Sequence, residues 1–196
     1  MTELWVFGYG SLIWRPGFPH LERRVARVTG AHRALCVYSW VHRGTPDRPG
    51  LVLGLDRGGT CRGVAFRVAP EEWDGVVAYL RGREQVTAVY IERKREIRFA
   101  DGTAATALTF IVNRRHGQYA GKLDEDTQFS IVADAHGQSG DNRAYVINTA
   151  SHLAELGMAD ALLDRLAERL KALPDSPGPT QRAADGSLAP PGEGPR

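Results

Sequence analysis

Apolar and polar residues alternate over much of the first third of the chain, a period of two that is typical of β-strands. Residues 4–7 have the continuous apolar pattern of a short buried strand. Two alternating runs flank Gly30 within residues 24–40, and two further strand patterns cover residues 51–55 and 61–68. We therefore predict a hairpin around Gly30 and a first third dominated by β-sheet.

The pattern changes at Pro70, after which apolar residues recur at helical spacing. Proline fits the first turn of a helix, and Glu71 and Glu72 suit the positive end of the helix dipole. The apolar stripe that follows consists of Trp73, Val76, Val77 and Leu80. This spacing predicts a helix that opens at Pro70 and packs one face against a core.

A second β-pattern follows this helix. Residues 89–99 and 103–112 are separated by Asp101-Gly102, a dipeptide that favours a tight turn, so they are predicted to form a hairpin. Residues 113–127 are polar and irregular, and they give few cues to secondary structure.

The C-terminal part predicts two helices and a tail. The first helix is capped by Asp141 and ended by Gly157, and the second carries a leucine stripe that stops before Pro174. From residue 174 to residue 196 the chain is mostly Pro, Gly, Ala, Ser and charged residues, a composition that buries too little apolar surface to fold. We predict one α+β domain over residues 1–173 and a disordered tail over residues 174–196.

Composition and charge narrow the class of protein. With 196 residues and a net charge of +2, the chain can form one core and gives no sign of a nucleic acid or membrane partner. It shows neither a secretory signal nor an apolar stretch near the ~20 residues of a spanning helix, so we expect a cytoplasmic protein, by default a monomer. Cys36 and Cys61 lack CxxC spacing and the histidines are scattered, which predicts free thiols and no metal site.

The first strand leads directly into a glycine-containing turn, residues 8–12. Glycines on both sides of Tyr9 allow successive backbone amides to point into one concavity, where they can bind an anion, and Ser11 adds a hydroxyl. Ile13 stands where a dinucleotide fingerprint needs its third glycine, and Leu123 follows the Gly-Lys pair where a P-loop needs Ser or Thr. A tight turn without a ligand is the alternative.

One carboxylate interrupts an apolar helical stripe. Four residues beyond Leu80 the stripe reaches Glu84, where the pattern calls for an apolar side chain. Burial disfavours the charged form of a carboxylate and raises its pKa, which suits a glutamate to proton transfer near neutral pH. Alternatively, the helix ends at Gly82, and Glu84 meets solvent or pairs with Arg83.

Several segments together resemble the ChaC-like γ-glutamylcyclotransferases, in the order of that family from about Leu4 to Leu156. These segments are Val6-Phe7-Gly8-Tyr9-Gly10-Ser11-Leu12-Ile13-Trp14, His42-Arg43-Gly44-Thr45-Pro46 with Arg48-Pro49-Gly50, Gly63-Val64-Ala65-Phe66-Arg67, Arg83-Glu84, and Ser139-Gly140 with Asn142 and Tyr145. The resemblance implies the fold of the family, a mixed β-sheet curled into a small barrel with flanking helices.

The resemblance also implies a reaction and a set of site residues. Glutathione would yield 5-oxoproline and Cys-Gly when its own α-amine attacks its γ-carbonyl, with Glu84 as the general acid and base. Because the nucleophile arrives with the substrate, at effective molarities that reach roughly 10⁵–10⁸ M, we expect no cofactor and no metal. The expected substrate-binding residues are Val6, Phe7, Gly8, Tyr9, Gly10, Ser11, Leu12 and Tyr145.

The sequence leaves alternatives open for two residues, for the substrate and for the function. Tyr145 could be a core tyrosine, and Arg43 could contact the far carboxylate of glutathione or be a solvated loop arginine. The small-molecule substrate could be another γ-glutamyl amine or dipeptide. The protein could also be a non-catalytic module that binds a carboxylate metabolite through the glycine turn.

Overall fold

Runs of strands and runs of helices follow one another along the chain, as expected of an α+β protein. The structure, a computed structural model, describes residues 3–84 and 88–174. The barrel strands in this part are β1 (Leu4–Gly8), β2 (Glu22–Ser39), β3 (Gly50–Val68), β4 (Tyr90–Phe99) and β5 (Ala104–Val112). The helices are α1 (Trp73–Glu84), α2 (Glu125–Asp134), α3 (Asn142–Glu155) and α4 (Ala161–Lys171), and a short hairpin of β6 (His136–Gly137) and β7 (Gly140–Asp141) precedes α3.

The strands close into a barrel in the order β1-β3-β2-β4-β5. β1 pairs with β3 in antiparallel and with β5 in parallel fashion, so it has a neighbour on each side. Trp5, Val6 and Phe7 are each at most 1% exposed, which explains the continuous apolar pattern of this strand. The α+β fold class, with a curled mixed sheet and helices outside it, is thereby confirmed.

The hairpin predicted around Gly30 is wrong. β2 runs through Gly30 as one strand and pairs with β3 along most of its length, with a register shift between Thr29 and Ala31. Gly30 has a φ of +81°, and Gly58 and Gly59 opposite it have φ values of +95° and +70°. These glycines bend two long paired strands without ending them, as residues at β-bulges do. A bend and a turn leave the same alternation on either side, so the sequence pattern does not distinguish them.

Most of the other predicted elements are confirmed. Pro70–Glu72 forms a short 3₁₀ turn before α1, and β4 and β5 form the predicted hairpin. The Asp141 carboxylate caps α3 by accepting a hydrogen bond from the Arg143 amide. α2 was not predicted, because its buried face consists of only Gln128 and Val132 and so leaves little apolar periodicity.

Three further predictions concern the thiols, membranes and the tail. Cys36 and Cys61 are free and buried, as expected, and burial raises the pKa of Cys36 to about 12. None of the helices in the described residues has the length and apolar character needed to cross a membrane. The prediction of a disordered tail falls, apart from Pro174, outside the residues that the structure describes.

One edge of β3 is completed by side chains. On this edge β1 pairs only with residues 64–68, so the backbone groups of Leu51 and Leu53 face no strand. The Leu51 amide donates to Asn142 Oδ1 (2.7 Å), and Asn142 Nδ2 donates to the Leu51 carbonyl (2.8 Å). The Leu53 amide donates to the Tyr145 hydroxyl (3.1 Å), and the Tyr90 hydroxyl donates to the Leu53 carbonyl (2.8 Å). Three side chains therefore satisfy this edge as a neighbouring strand would.

We predict that Asn142→Ala destabilises the fold by about 2–5 kcal/mol, because it leaves the amide and the carbonyl of Leu51 buried without partners. Urea unfolding would measure the loss. Asn148→Ala, at an exposed position on the same helix, is the matched control and should change stability by less than about 0.5 kcal/mol. Equal effects of the two substitutions would contradict the role assigned to Asn142.

Candidate active site

A cleft of about 760 Å³ opens between the end of β1, the end of α1 and the start of α3. Glu84 from α1, Tyr90 from β4 and Tyr145 from α3 all line it. The lining residues come from widely separated parts of the chain and include Phe7, Tyr9, Gly10, Ser11, Leu12, Trp14, Arg15, Arg43, Leu53, Arg83, Glu84, Tyr90, Ser139, Tyr145 and His152. The barrel thus brings together segments that are far apart in sequence.

Most of the residues predicted to form the site line this one cleft, namely Phe7, Tyr9, Gly10, Ser11, Leu12, Glu84 and Tyr145. Val6 and Gly8 are not part of the lining. Val6 is fully buried in the barrel, paired with Phe66 and Leu108. Gly8 lies behind the turn, where an added Cβ would come within 2.9 Å of the Leu12 Cβ. The structure therefore gives these two residues a part in shaping the turn rather than in lining the cleft.

The glycine turn holds backbone donors at the wall of the cleft. Its chain passes from β1 into a short 3₁₀ helix, Ser11–Ile13, in which the Ile13 amide donates to the Gly10 carbonyl (2.9 Å). Arg33 Nε donates to the Tyr9 carbonyl (2.6 Å) and so joins the turn to β2. Among the described residues, the amides of Tyr9 and Gly10 have no acceptor. These two donors are available to an anionic group.

Glu84 is the last residue of α1, and only 18% of its side chain is exposed. Burial raises the pKa of its carboxyl group, and the charge of Arg83 lowers it by a smaller amount. Arg83 Nε lies 3.4 Å from Glu84 Oε1, so the alternative of an ion pair with Arg83 is also realised, within the cleft. A partly shielded carboxylate of this kind exchanges protons near neutral pH more readily than an exposed one.

Arg83 connects Glu84 to the glycine turn. Its NH2 group donates to Ser11 Oγ (2.8 Å), and its NH1 group donates to the Arg15 carbonyl (2.9 Å) and to the Tyr79 hydroxyl (3.0 Å). The side chain thereby fixes the end of α1 against the turn. From the sequence, Arg83 is predicted only as a partner of Glu84, because no pattern in the chain indicates that the turn and the helix end are adjacent.

Three tyrosines line the cleft with the carboxylate, Tyr9 buried and Tyr90 and Tyr145 half-buried. Burial raises the pKa of Tyr9, Tyr90 and Tyr145, and the charge of Glu84 raises each of them further; the pKa of Tyr145 reaches about 12. Their hydroxyls are therefore neutral near pH 7 and can act as hydrogen-bond donors. Tyr90 was not among the predicted site residues, since it reads in the sequence as an ordinary strand residue.

Within residues 3–84 and 88–174, no three His, Cys, Asp or Glu side chains are grouped closely enough to hold a metal ion. The expectation that the chemistry needs no metal stays a prediction.

We predict that Glu84→Gln gains stability relative to wild type as the pH rises, so that the difference in their free energies of unfolding grows. The pKa of Glu84 is raised in the folded protein above its ordinary value of 4.5, so the folded state retains a proton that the unfolded chain releases. The contribution of Glu84 to stability is therefore fully present below that ordinary value and is lost as the pH rises through the raised pKa. Glutamine stays neutral throughout.

Urea unfolding of both proteins at about pH 4 and about pH 8 checks this prediction, with Glu71→Gln as an exposed control. The difference in free energy of unfolding between Glu84→Gln and wild type should grow with pH, and the difference for Glu71→Gln should not. A constant difference for Glu84→Gln would show that this carboxyl group has an ordinary pKa.

Comparisons with known proteins agree with the geometry. The model of the family described as ChaC-like protein matches residues 4–173. The chain is 34% identical over 170 residues to the glutathione-specific gamma-glutamylcyclotransferase of Escherichia coli (strain K12), a match that covers 87% of this chain and 74% of that protein. It is 32% identical to the human glutathione-specific gamma-glutamylcyclotransferase 1, covering 79% of this chain and 71% of that protein.

A solved structure extends this agreement to the fold. The crystal structure of a yeast γ-glutamyl cyclotransferase specific to glutathione superposes with a TM-score of 0.78 at 23% identity and covers 87% of this chain and 96% of that one. With the family match spanning nearly all the described residues, the chain belongs to the ChaC-like protein family.

Proposed function

We propose that this protein is a glutathione-specific γ-glutamylcyclotransferase, which converts glutathione to 5-oxoproline and Cys-Gly. The observation that carries the proposal is the position of Glu84, a largely buried carboxylate that lines the same cleft as the amides of Tyr9 and Gly10. The names of the bacterial and human relatives support the same substrate.

The reaction is an intramolecular aminolysis. The α-amine nitrogen of the γ-glutamyl group forms a bond to its own γ-carbonyl carbon, and the amide bond from that carbon to the cysteine nitrogen breaks. One proton leaves the attacking ammonium group and one reaches the departing amine. Because both reacting groups belong to one molecule, a site that holds the γ-glutamyl chain in a bent conformation provides much of the rate enhancement.

Glu84 is suited to both proton transfers. As a carboxylate it accepts a proton from the α-ammonium group, and as a carboxylic acid it donates a proton to the leaving nitrogen. Burial raises its pKa and so reduces the free-energy difference between the carboxylate and the carboxylic acid near neutral pH. This favours a group that must serve in turn as base and acid. Arg83 holds the carboxyl group against the turn and limits the rise in its pKa.

Two anionic groups need stabilisation during the reaction, the α-carboxylate of the substrate and the oxyanion that develops on the γ-carbonyl. The amides of Tyr9 and Gly10 and the hydroxyl of Ser11 form one set of donors in the cleft. The hydroxyls of Tyr9 and Tyr145 form another, and their raised pKa values keep them protonated, whereas the Tyr90 hydroxyl already donates to the Leu53 carbonyl. Donors placed in advance stabilise developing charge without reorganisation.

The cleft, of about 760 Å³, suits a small-molecule substrate. A net charge of +2 favours neither a nucleic acid nor a membrane as partner, and a monomer is the default assignment. Free, buried Cys36 and Cys61 fit a cytoplasmic location, where thiols stay reduced.

Incubation of the purified protein with glutathione, without ATP or added metal, tests the proposal directly. We expect 5-oxoproline and Cys-Gly in equal amounts. Parallel reactions with γ-glutamyl amino acids distinguish glutathione from other γ-glutamyl compounds, and faster turnover of those would overturn the assigned substrate. Binding of glutathione without release of 5-oxoproline would indicate a binding module instead of an enzyme.

We predict that Glu84→Gln abolishes formation of 5-oxoproline and leaves glutathione binding largely intact, because glutamine preserves the shape of the side chain and cannot transfer a proton. Turnover is measured by the 5-oxoproline assay and binding by calorimetry. Glu71→Gln, at an exposed position before α1, is the control and should keep wild-type turnover. Normal turnover by Glu84→Gln would refute the acid and base role.

We also predict that Arg83→Met moves the acid limb of the pH–rate profile to higher pH. The charge of Arg83 lowers the pKa of Glu84, so its removal favours the neutral carboxyl group and raises that pKa. Arg81→Met, on the same helix but paired with Glu92, is the matched control and should leave the limb in place. A shift to lower pH, or no shift, would contradict the coupling between Arg83 and Glu84.

A further inference from the structure

Two further arginines, Arg43 and Arg15, line the cleft. Among the described residues neither has a carboxylate within ion-pair distance, although the charge of Asp141 also acts on Arg43. The two arginines are near enough that the charge of Arg15 lowers the pKa of Arg43, although burial lowers it more. Two neighbouring cations that form no ion pair in a concave site attract an anionic ligand.

Arg43 is held in a fixed orientation. Its backbone amide donates to Ser39 Oγ (3.0 Å), and its NH1 group donates to the carbonyls of Ser139 (2.7 Å) and Asp141 (3.3 Å). Its guanidinium carbon lies 5.2 Å from the centre of the Tyr145 ring. Nε and NH2 make no hydrogen bond to any residue that the structure describes, so the outer part of the guanidinium remains available.

The loop that carries Arg43 packs closely against the hairpin of β6 and β7. A Cβ added at Gly137 would lie 2.6 Å from the Gly44 nitrogen and 2.6 Å from the His42 carbonyl oxygen. His42 Nδ1 and Ser139 Oγ also lie within hydrogen-bond distance, 2.9 Å apart. The backbone contact leaves the loop little freedom to shift, which keeps Arg43 in place.

Tyr145 lies within reach of both Arg43 and Glu84. Its ring faces Arg43, and its hydroxyl, bound to the Leu53 amide, is affected by the charges of both residues. Arg43 and Glu84 thus act on one side chain of the same cleft. An extended Cys-Gly unit spans about 7 Å, so the glycine carboxylate of glutathione lies well away from the γ-carbonyl that reacts.

We propose that Arg43 binds the glycine carboxylate of glutathione, with Arg15 contributing its charge, and that this contact selects substrates with a carboxylate at the far end. The inference rests on the proposed function and adds to it the residue that recognises the Cys-Gly part of the substrate. A guanidinium fork can hold a carboxylate with two parallel hydrogen bonds, which fixes the direction of the ligand as well as its charge.

The test compares glutathione with its monoethyl ester at the glycine carboxyl group. Esterification removes the negative charge and leaves the γ-glutamyl group unchanged, so wild-type protein should have a kcat/KM about 10- to 100-fold lower for the ester, in line with the loss of a charge-assisted hydrogen bond. Equal kcat/KM values for acid and ester in wild-type protein would overturn the proposal.

Arg43→Met should bring the two substrates to similar kcat/KM values, because the acid loses its partner and the ester has none to lose. Arg43→Lys should restore part of the preference, since it keeps the charge without the fork. Arg48→Met, at an exposed position on the same loop, should retain the wild-type ratio. If Arg43 merely supports the loop, Arg43→Met will slow both substrates equally and leave the ratio unchanged, which would refute the proposal.

Calorimetry with Glu84→Gln protein separates this inference from the proposed function. It gives the ratio of Kd values for acid and ester without turnover. Tighter binding of the acid would support the role of Arg43 even if wild-type protein released no 5-oxoproline, a result that would count against the proposed function alone. Equal affinity for acid and ester would count against Arg43 alone.

Discussion

The uncovered edge of β3 at Leu51 and Leu53 is the constraint around which the site is assembled. Buried backbone amides and carbonyls need partners, and here Asn142, Tyr145 and Tyr90 provide them. Because these side chains come from α3 and β4, satisfying the edge also fixes the helix and the second hairpin against the barrel. Two of the three then face the cleft, so the hydrogen bonds that complete the sheet also place phenolic hydroxyls beside the carboxylate.

Glu84, in contrast to these stabilising side chains, lowers the stability of the fold while it serves the chemistry. A carboxylate at the end of an apolar stripe is unfavourable in the folded state, and the raised pKa is the measure of that cost. Arg83 compensates in part and, through Ser11, joins the carboxylate to the turn. The fold thus retains a destabilising group at the one place where α1 meets the end of β1, where a proton carrier lies next to backbone donors.

Local patterns in the sequence were enough to predict β1, α1, the second hairpin, α3 and α4, because each has an apolar face of its own or a capping residue. Gly30 was misread, since a bend and a turn produce the same alternation. α2 was missed because its buried face is short and partly polar. Local patterns also singled out the glycine turn and Glu84, and the resemblance to a family gave them their expected roles. The partners of Arg83 and Arg43 depend on contacts across 72 and 96 residues, which no local pattern contains.

The close packing of Gly137 against Gly44 has a consequence for how such a protein can change over time. Main-chain atoms, not side chains, set the spacing between the loop and the hairpin. Exchange of His42 or Arg43 would remove their hydrogen bonds to the hairpin but would leave this main-chain packing in place. In evolutionary terms, the packing of Gly137 against residues 42–44 is a support that allows these side chains to diverge toward new ligands.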